Sequence, residues 1–123
     1  MAGQSYRDLE VWQRGVDLAE MAYRITWIFP REEVYGLSSQ LQRSASSVPA
    51  NIAEGQGRLH RGDFIRSLSI ARGSLYETET HLYIAARLGY LDKQKFDEAW
   101  DLCQQVGRLL NGLIRHLENQ RDS

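Results

Sequence analysis

The sequence predicts an all-α fold, an antiparallel up-down-up-down four-helix bundle with a proline-kinked second helix, and three observations carry that expectation. Four stretches repeat their apolar residues in steps of three and four, the spacing that lines one face of a helix. Pro30, Gly55, Gly57 and Gly89 fall at the ends of those stretches, where helices stop. No stretch alternates with the period of two that a half-buried strand requires. The 123 residues, 42% hydrophobic and 25% charged, suffice for one domain with its own core. Residues 7–119 are assigned to the bundle, with short tails at 1–6 and 120–123.

From Asp8 to Ile28, Leu9, Trp12, Val16, Ala19 and Tyr23 form one apolar stripe, and Val11, Leu18, Ala22 and Ile25 form a second beside it. So broad a face predicts packing on two sides. Phe29-Pro30 ends this helix, because proline disfavours helical geometry at the residue before it. A second helix follows, with Leu37, Leu41, Ala45, Val48 and Ile52 in register. Pro49 lies inside it, lacks an N–H and crowds the carbonyl of Ala45. The expectation is a helix that continues with a kink rather than one that restarts, the hydroxyls of Ser46 and Ser47 or the amide of Asn51 satisfying the freed group. Gly55 and Gly57 read as its stop.

Asp63 reads as the cap of a third helix carrying Phe64, Leu68, Ala71, Leu75, Thr78, Leu82 and Ala85, closed by Gly89. Asp92 opens a fourth, where Phe96, Ala99, Cys103, Val106, Leu110, Leu113 and Leu117 repeat without a break. Trp27, Trp100, Leu102, Leu109 and Ile114 fall outside these seams, a surplus that predicts a homo-oligomer. Gly73, Gly107 and Gly112 inside helices suggest close helix approach, since each costs about 1 kcal/mol relative to Ala.

The chain offers little for catalysis. Cys103 sits in the core register, which predicts an inert buried thiol. As the single cysteine it has no disulfide partner, and with no apolar run near the ~18 residues of a membrane span, the expected compartment is the cytoplasm. His81 and His116 are expected at partly exposed helix positions. Glu77 and His81 are four apart rather than three, and no second such pair exists, so no metal is expected. Gly55-Gln56-Gly57 with Gly62 lacks the preceding strand and the Lys-Ser/Thr of a phosphate loop. Neither a cofactor nor an enzymatic activity is expected.

The net charge of −1 hides an uneven distribution: residues 42–73 carry five Arg against two acids. Arg43, Arg58, Arg61, Arg66 and Arg72, with His60, straddle the turn between the second and third helices. Arg binds phosphate through two parallel donors, so Arg43, Arg58, His60, Arg61 and Arg66 are the candidate RNA- or DNA-binding residues. The alternative is an internal ion-pair network with Glu54, Asp63 or a neighbouring subunit. Pro49, Asn51, Glu54 and Gly55 form a second group, read as a structural motif in which Asn51 answers the proline and Glu54 pairs with Arg43 or Arg58; a ligand or partner site is the other reading.

From Leu9 almost to the C-terminus the sequence resembles the four-helix-bundle family of 23S ribosomal RNA intervening-sequence proteins, relatives of the accessory variability proteins of diversity-generating retroelements. The resemblance rests on DLEVWQRG, on FPREEVYGLSSQLQRSASSVPANIAEGQGR and on IARGSLYETETHLYIAARLGYL, with SVPANIAEG, Ser47 to Gly55, the most diagnostic stretch. It implies a small non-enzymatic homo-oligomer, a pentameric ring, with RNA, DNA, a reverse transcriptase or another protein as its partners. Two positions depart from the pattern. Thr78 stands where the family has an apolar residue, and the sequence pI near 6.3 is well below that of the basic retroelement relatives.

Overall fold

The computed structural model describes residues 5–120; residues 1–4 and 121–123 of the expected tails lie outside it. Ser5 accepts a hydrogen bond from the Arg7 N–H and caps a single 3₁₀ turn, Tyr6–Asp8. Four α-helices follow: α1 (Glu10–Thr26), α2 (Leu37–Gln56), α3 (Arg61–Arg87) and α4 (Lys93–Asn119). Each helix packs on its sequence neighbours, and α1 closes the bundle against α4. No strand is present among the described residues. No described helix is long and apolar enough to cross a membrane.

Helices α2, α3 and α4 bury most of the residues their periodicity picks out, but Phe64, Phe96 and Leu113 are only partly buried, and Ile114 takes the core place expected of Leu113. Leu41, Val48, Ile52, Leu68, Leu75, Leu82, Val106 and Leu110 are completely enclosed, each worth roughly 1.5–3 kcal/mol of apolar burial. Helix α1 buries the second of its two expected stripes, while of the first only Leu9 and Trp12 pack partly on the core. Its core face is Val11, Gly15, Leu18, Ala22 and Ile25, an unbroken four-three repeat, whereas Val16 and Tyr23 face solvent. The cause is Gly15: a Cβ there would lie 3.3 Å from the Cβ of Pro49, so α1 and α2 meet backbone to ring at a position that carries no apolar side chain to be counted. The surplus residues are also corrected. Ile114 is buried, Leu102 and Leu109 pack partly on the core, and Trp100 stacks on Phe96 at 5.4 Å. Only Trp27, 71% exposed, stands clear, with Arg24 over its ring at 5.5 Å.

The helix ends show which local rules operate. Helix α2 runs through Pro49 without interruption. Gly55 is not its stop: it lies buried inside the last turn, where a Cβ would sit 2.7 Å from the Ser67 Cβ and 2.9 Å from the Phe64 ring. Gly57 caps the helix. His60, not Asp63, is the N-cap residue of α3, and Asp63 sits in the first turn, where its charge favours the helix dipole. Asp92 does cap α4, accepting from the Lys95 N–H at 2.8 Å. Gly89 ends α3 with φ +80°, a conformation that favours glycine. Of the three interior glycines, only Gly107 faces a neighbouring helix, with the Leu75 methyl 3.4 Å from its virtual Cβ; Gly73 and Gly112 face open space.

One carboxylate, unmarked in the sequence, ties the α1–α2 turn to the α3–α4 turn. Glu33 accepts from the Leu37 N–H at 3.0 Å, serving as the cap that Gly36 lacks, and from the Tyr90 hydroxyl at 2.8 Å. The Leu37 N–H, then the Tyr90 hydroxyl, hold its carboxyl below the usual range. Phe29 packs on the Tyr90 ring at 5.5 Å and completes the clasp.

Candidate nucleic-acid interface

The arginines of the basic segment divide among three places. Arg43 and Arg58 are fifteen residues apart on or just beyond α2, about 22 Å along a helix axis at 1.5 Å per residue. Arg43 therefore stands apart from the corner. Arg72 bonds across to Asn111 of α4 at 2.9 Å and belongs to the α3–α4 seam. Arg58, His60, Arg61 and Arg66 remain together around the α2–α3 corner, whose tip, Leu59, is 95% exposed.

Two shallow clefts flank that corner. One, of about 270 Å³, is lined by Glu54, Arg58, Asp63, Arg66, Ser67 and Ile70. In it the Arg58 guanidinium meets the Glu54 carboxylate at 2.5 Å, with both side chains about half exposed. Such a surface pair is worth at most about 1 kcal/mol and is screened by salt. Arg66 has no charged partner among the described residues. The second cleft, about 510 Å³, places His60, Arg61, Gly62 and Ile65 beside Leu117 and Glu118 at the end of α4. Three arginines thus share the corner with Glu54, Asp63 and Glu118, a mixed surface and not a uniformly basic one.

The motif around Pro49 is built differently from the expected proline rescue. Asn51 donates its amide to the Ser47 carbonyl at 2.8 Å and the Ser47 hydroxyl at 2.9 Å, not to the Ala45 carbonyl that proline frees. Glu54 pairs with Arg58 rather than with Arg43. Gly55 lets α3 approach α2. Along this seam Ser44 meets Thr78 at 2.9 Å and Ser47 meets Ser74 at 2.9 Å, so partner numbers rise on one helix as they fall on the other. Thr78, fully buried, also donates to the Ser74 carbonyl at 2.9 Å, which satisfies the hydroxyl in the core.

Cys103 is completely enclosed, and burial, helped by the nearby Glu79 charge, pushes its thiol up to about 12. It carries no nucleophilic thiolate at neutral pH. No three His, Cys, Asp or Glu side chains converge among the described residues.

These features define a small four-helix scaffold whose polar chemistry lies on its seams and corners. The chain belongs to the family of 23S rRNA-intervening sequence proteins, whose pattern matches residues 7–112. Its fold is similar to the crystal structure of a protein of unknown function from the S23 ribosomal protein family of Bacteroides thetaiotaomicron, with TM-score 0.78, 25% identity, and coverage of 85% of this chain and 95% of that one. No curated protein matches the chain.

Proposed function

We propose that the protein is a non-enzymatic accessory protein of the cytoplasm that associates with copies of itself and presents the α2–α3 corner to RNA. The observation that carries self-association is the outward face of α3: Ile70, Tyr76, Tyr83 and Ile84 are 41–52% exposed around Gly73, which has nothing within 4 Å of its virtual Cβ. An exposed helical glycine among apolar side chains costs stability in a monomer and admits a second helix closely. A ring would repeat Arg58, Arg61 and Arg66 once per subunit, so weak phosphate contacts would add. Light scattering at micromolar concentration should give a mass several times 14.2 kDa, and a lone 14.2 kDa species overturns self-association.

RNA is the expected partner because the family description ties its members to 23S rRNA, and phosphate contacts by arginine need no sequence match. Binding of labelled structured RNA should be detectable near 50 mM salt and fall steeply toward 200 mM. Arg58→Glu with Arg61→Glu should abolish it while helicity and mass persist; binding that survives in the double variant rejects the corner. The near-balance of charge at the corner favours a second reading, an oligomer that binds protein and no nucleic acid. Absence of RNA and duplex DNA binding at low salt, with the oligomer intact, selects that reading.

A further inference from the structure

Midway along the bundle, away from the corner, α2 and α3 flank an open polar cleft of about 480 Å³ lined by Gln40, Arg43, Ser44, Ser47, Ser74, Glu77 and His81. Its hydrogen bonds leave several groups open. Thr78 donates to the Ser74 carbonyl and so accepts from Ser44, whose other acceptor, the Leu41 carbonyl, is more distant at 3.3 Å. Ser74 donates to the Ser47 oxygen, and Asn51 donates to the same oxygen. Ser47 thus accepts twice, and its own proton is the one donor of the hydroxyl chain left without an acceptor among the described residues.

The charged residues of the cleft are open as well. Arg43 and Glu77 line the same cleft yet form no ion pair with each other or with any other described residue. His81 has its Nδ1 shut off from water with no partner. A buried acceptor without a partner is tolerated better than a buried N–H, so the ring carries its proton on Nε2, which makes it a donor. The α2 wall is therefore rich in donors, Arg43, Gln40 and Ser47, while Glu77 on α3 is an acceptor four residues before His81. No aromatic ring lines the cleft, so it has no platform on which a nucleobase would stack.

We propose that this cleft binds a small zwitterion of the α-amino-acid class, with its carboxylate on Arg43 and Ser47 and its ammonium group on Glu77. Arg43 supplies a planar fork matched to a carboxylate, and the opposing single charge of Glu77 disfavours a plain anion. The site is independent of the α2–α3 corner proposed to bind RNA, about 22 Å away along α2.

The test is titration of the ¹⁵N-labelled protein with each of the twenty L-amino acids, each also supplied as its amide, with acetate as the carboxylate alone. Saturable shifts of the Arg43, Ser47, Glu77 and His81 signals are expected with at least one free amino acid, and none with acetate or that ligand's amide. Arg43→Gln and Glu77→Gln, both at exposed positions, should each weaken binding at least about tenfold while the remaining spectrum is unchanged. No saturable shift with any amino acid up to about 10 mM, equal binding of acetate, or binding indifferent to either substitution overturns the proposal; 10 mM corresponds to less than about 3 kcal/mol of affinity.

Discussion

The two seams of α3 are packed on different principles. Toward α4 the interior is filled by volume: Leu75, Leu82, Val106 and Leu110 are wholly enclosed, and polar bonds, Arg72 to Asn111 and Gln104 to Glu79, sit at the edge. Toward α2 it is filled by proximity. Gly55 seats against Ser67 and Phe64, and Ser44, Ser47, Ser74 and Thr78 exchange directed hydrogen bonds across the gap. Dispersion and apolar transfer tolerate many side chains of equal volume, whereas a hydroxyl ladder between close backbones admits few. The second seam is also where polar groups reach the surface, at the Arg43 cleft and at the mixed-charge corner.

The largest expected effect breaks the volume-packed side. Leu110→Ala should cost about 2–5 kcal/mol in urea unfolding, because a fully enclosed leucine leaves a cavity. Gly55→Val tests the close seam and should cost about 1–3 kcal/mol through overpacking, since its Cβ would fall 2.7 Å from that of Ser67. Adding Ser67→Gly should recover part of the loss, and a purely additive double variant would show that the seam is not where the cost arises.

Two smaller changes sharpen the contrast. Thr78→Val keeps the volume and removes the hydroxyl that serves both Ser44 and the Ser74 carbonyl, so about 1 kcal/mol should be lost; no change in the unfolding midpoint would show that the directed bonds do not stabilise this seam. Glu79, on the α4 side, has its carboxyl raised above 4.5 by burial, against the opposing bond from Gln104. A group whose pKa is raised on folding favours the protonated native state, so its stability contribution is full below about pH 4.5 and is lost as pH rises through the folded value. Glu79→Gln should therefore raise the thermal midpoint at pH 7, with the gain vanishing below pH 4.5.

The same contrast explains what is legible in the sequence. The leucine repeats of α3 and α4 name their own core, because apolar periodicity is what burial selects there. Gly15 and Gly55 carry no side chain, so counting apolar residues leaves two stripes of α1 undecided and turns a close-packing glycine into a helix stop. Glu33 is invisible to such counting because its two partners come from opposite turns, Leu37 four residues on and Tyr90 far along the chain. Of the candidate site, the cluster at 58–66 is readable from charge density. The separation of Arg43 and the engagement of Arg72 with Asn111 depend on helix phase and on which neighbour each face meets.

If the corner, and not positive charge in general, holds RNA, the position of an arginine must matter more than its charge. The direct measurement is the salt dependence of binding to one labelled structured RNA for the wild type, Arg66→Glu and Arg43→Glu, which make the same change of charge at the corner and at the mid-bundle cleft. Arg66→Glu should weaken binding and lower the slope of log affinity against log salt by about one for each phosphate no longer neutralised, while Arg43→Glu should leave both close to wild type. Equal weakening in the two variants, or unchanged binding in Arg66→Glu, would contradict the assignment of RNA to the corner.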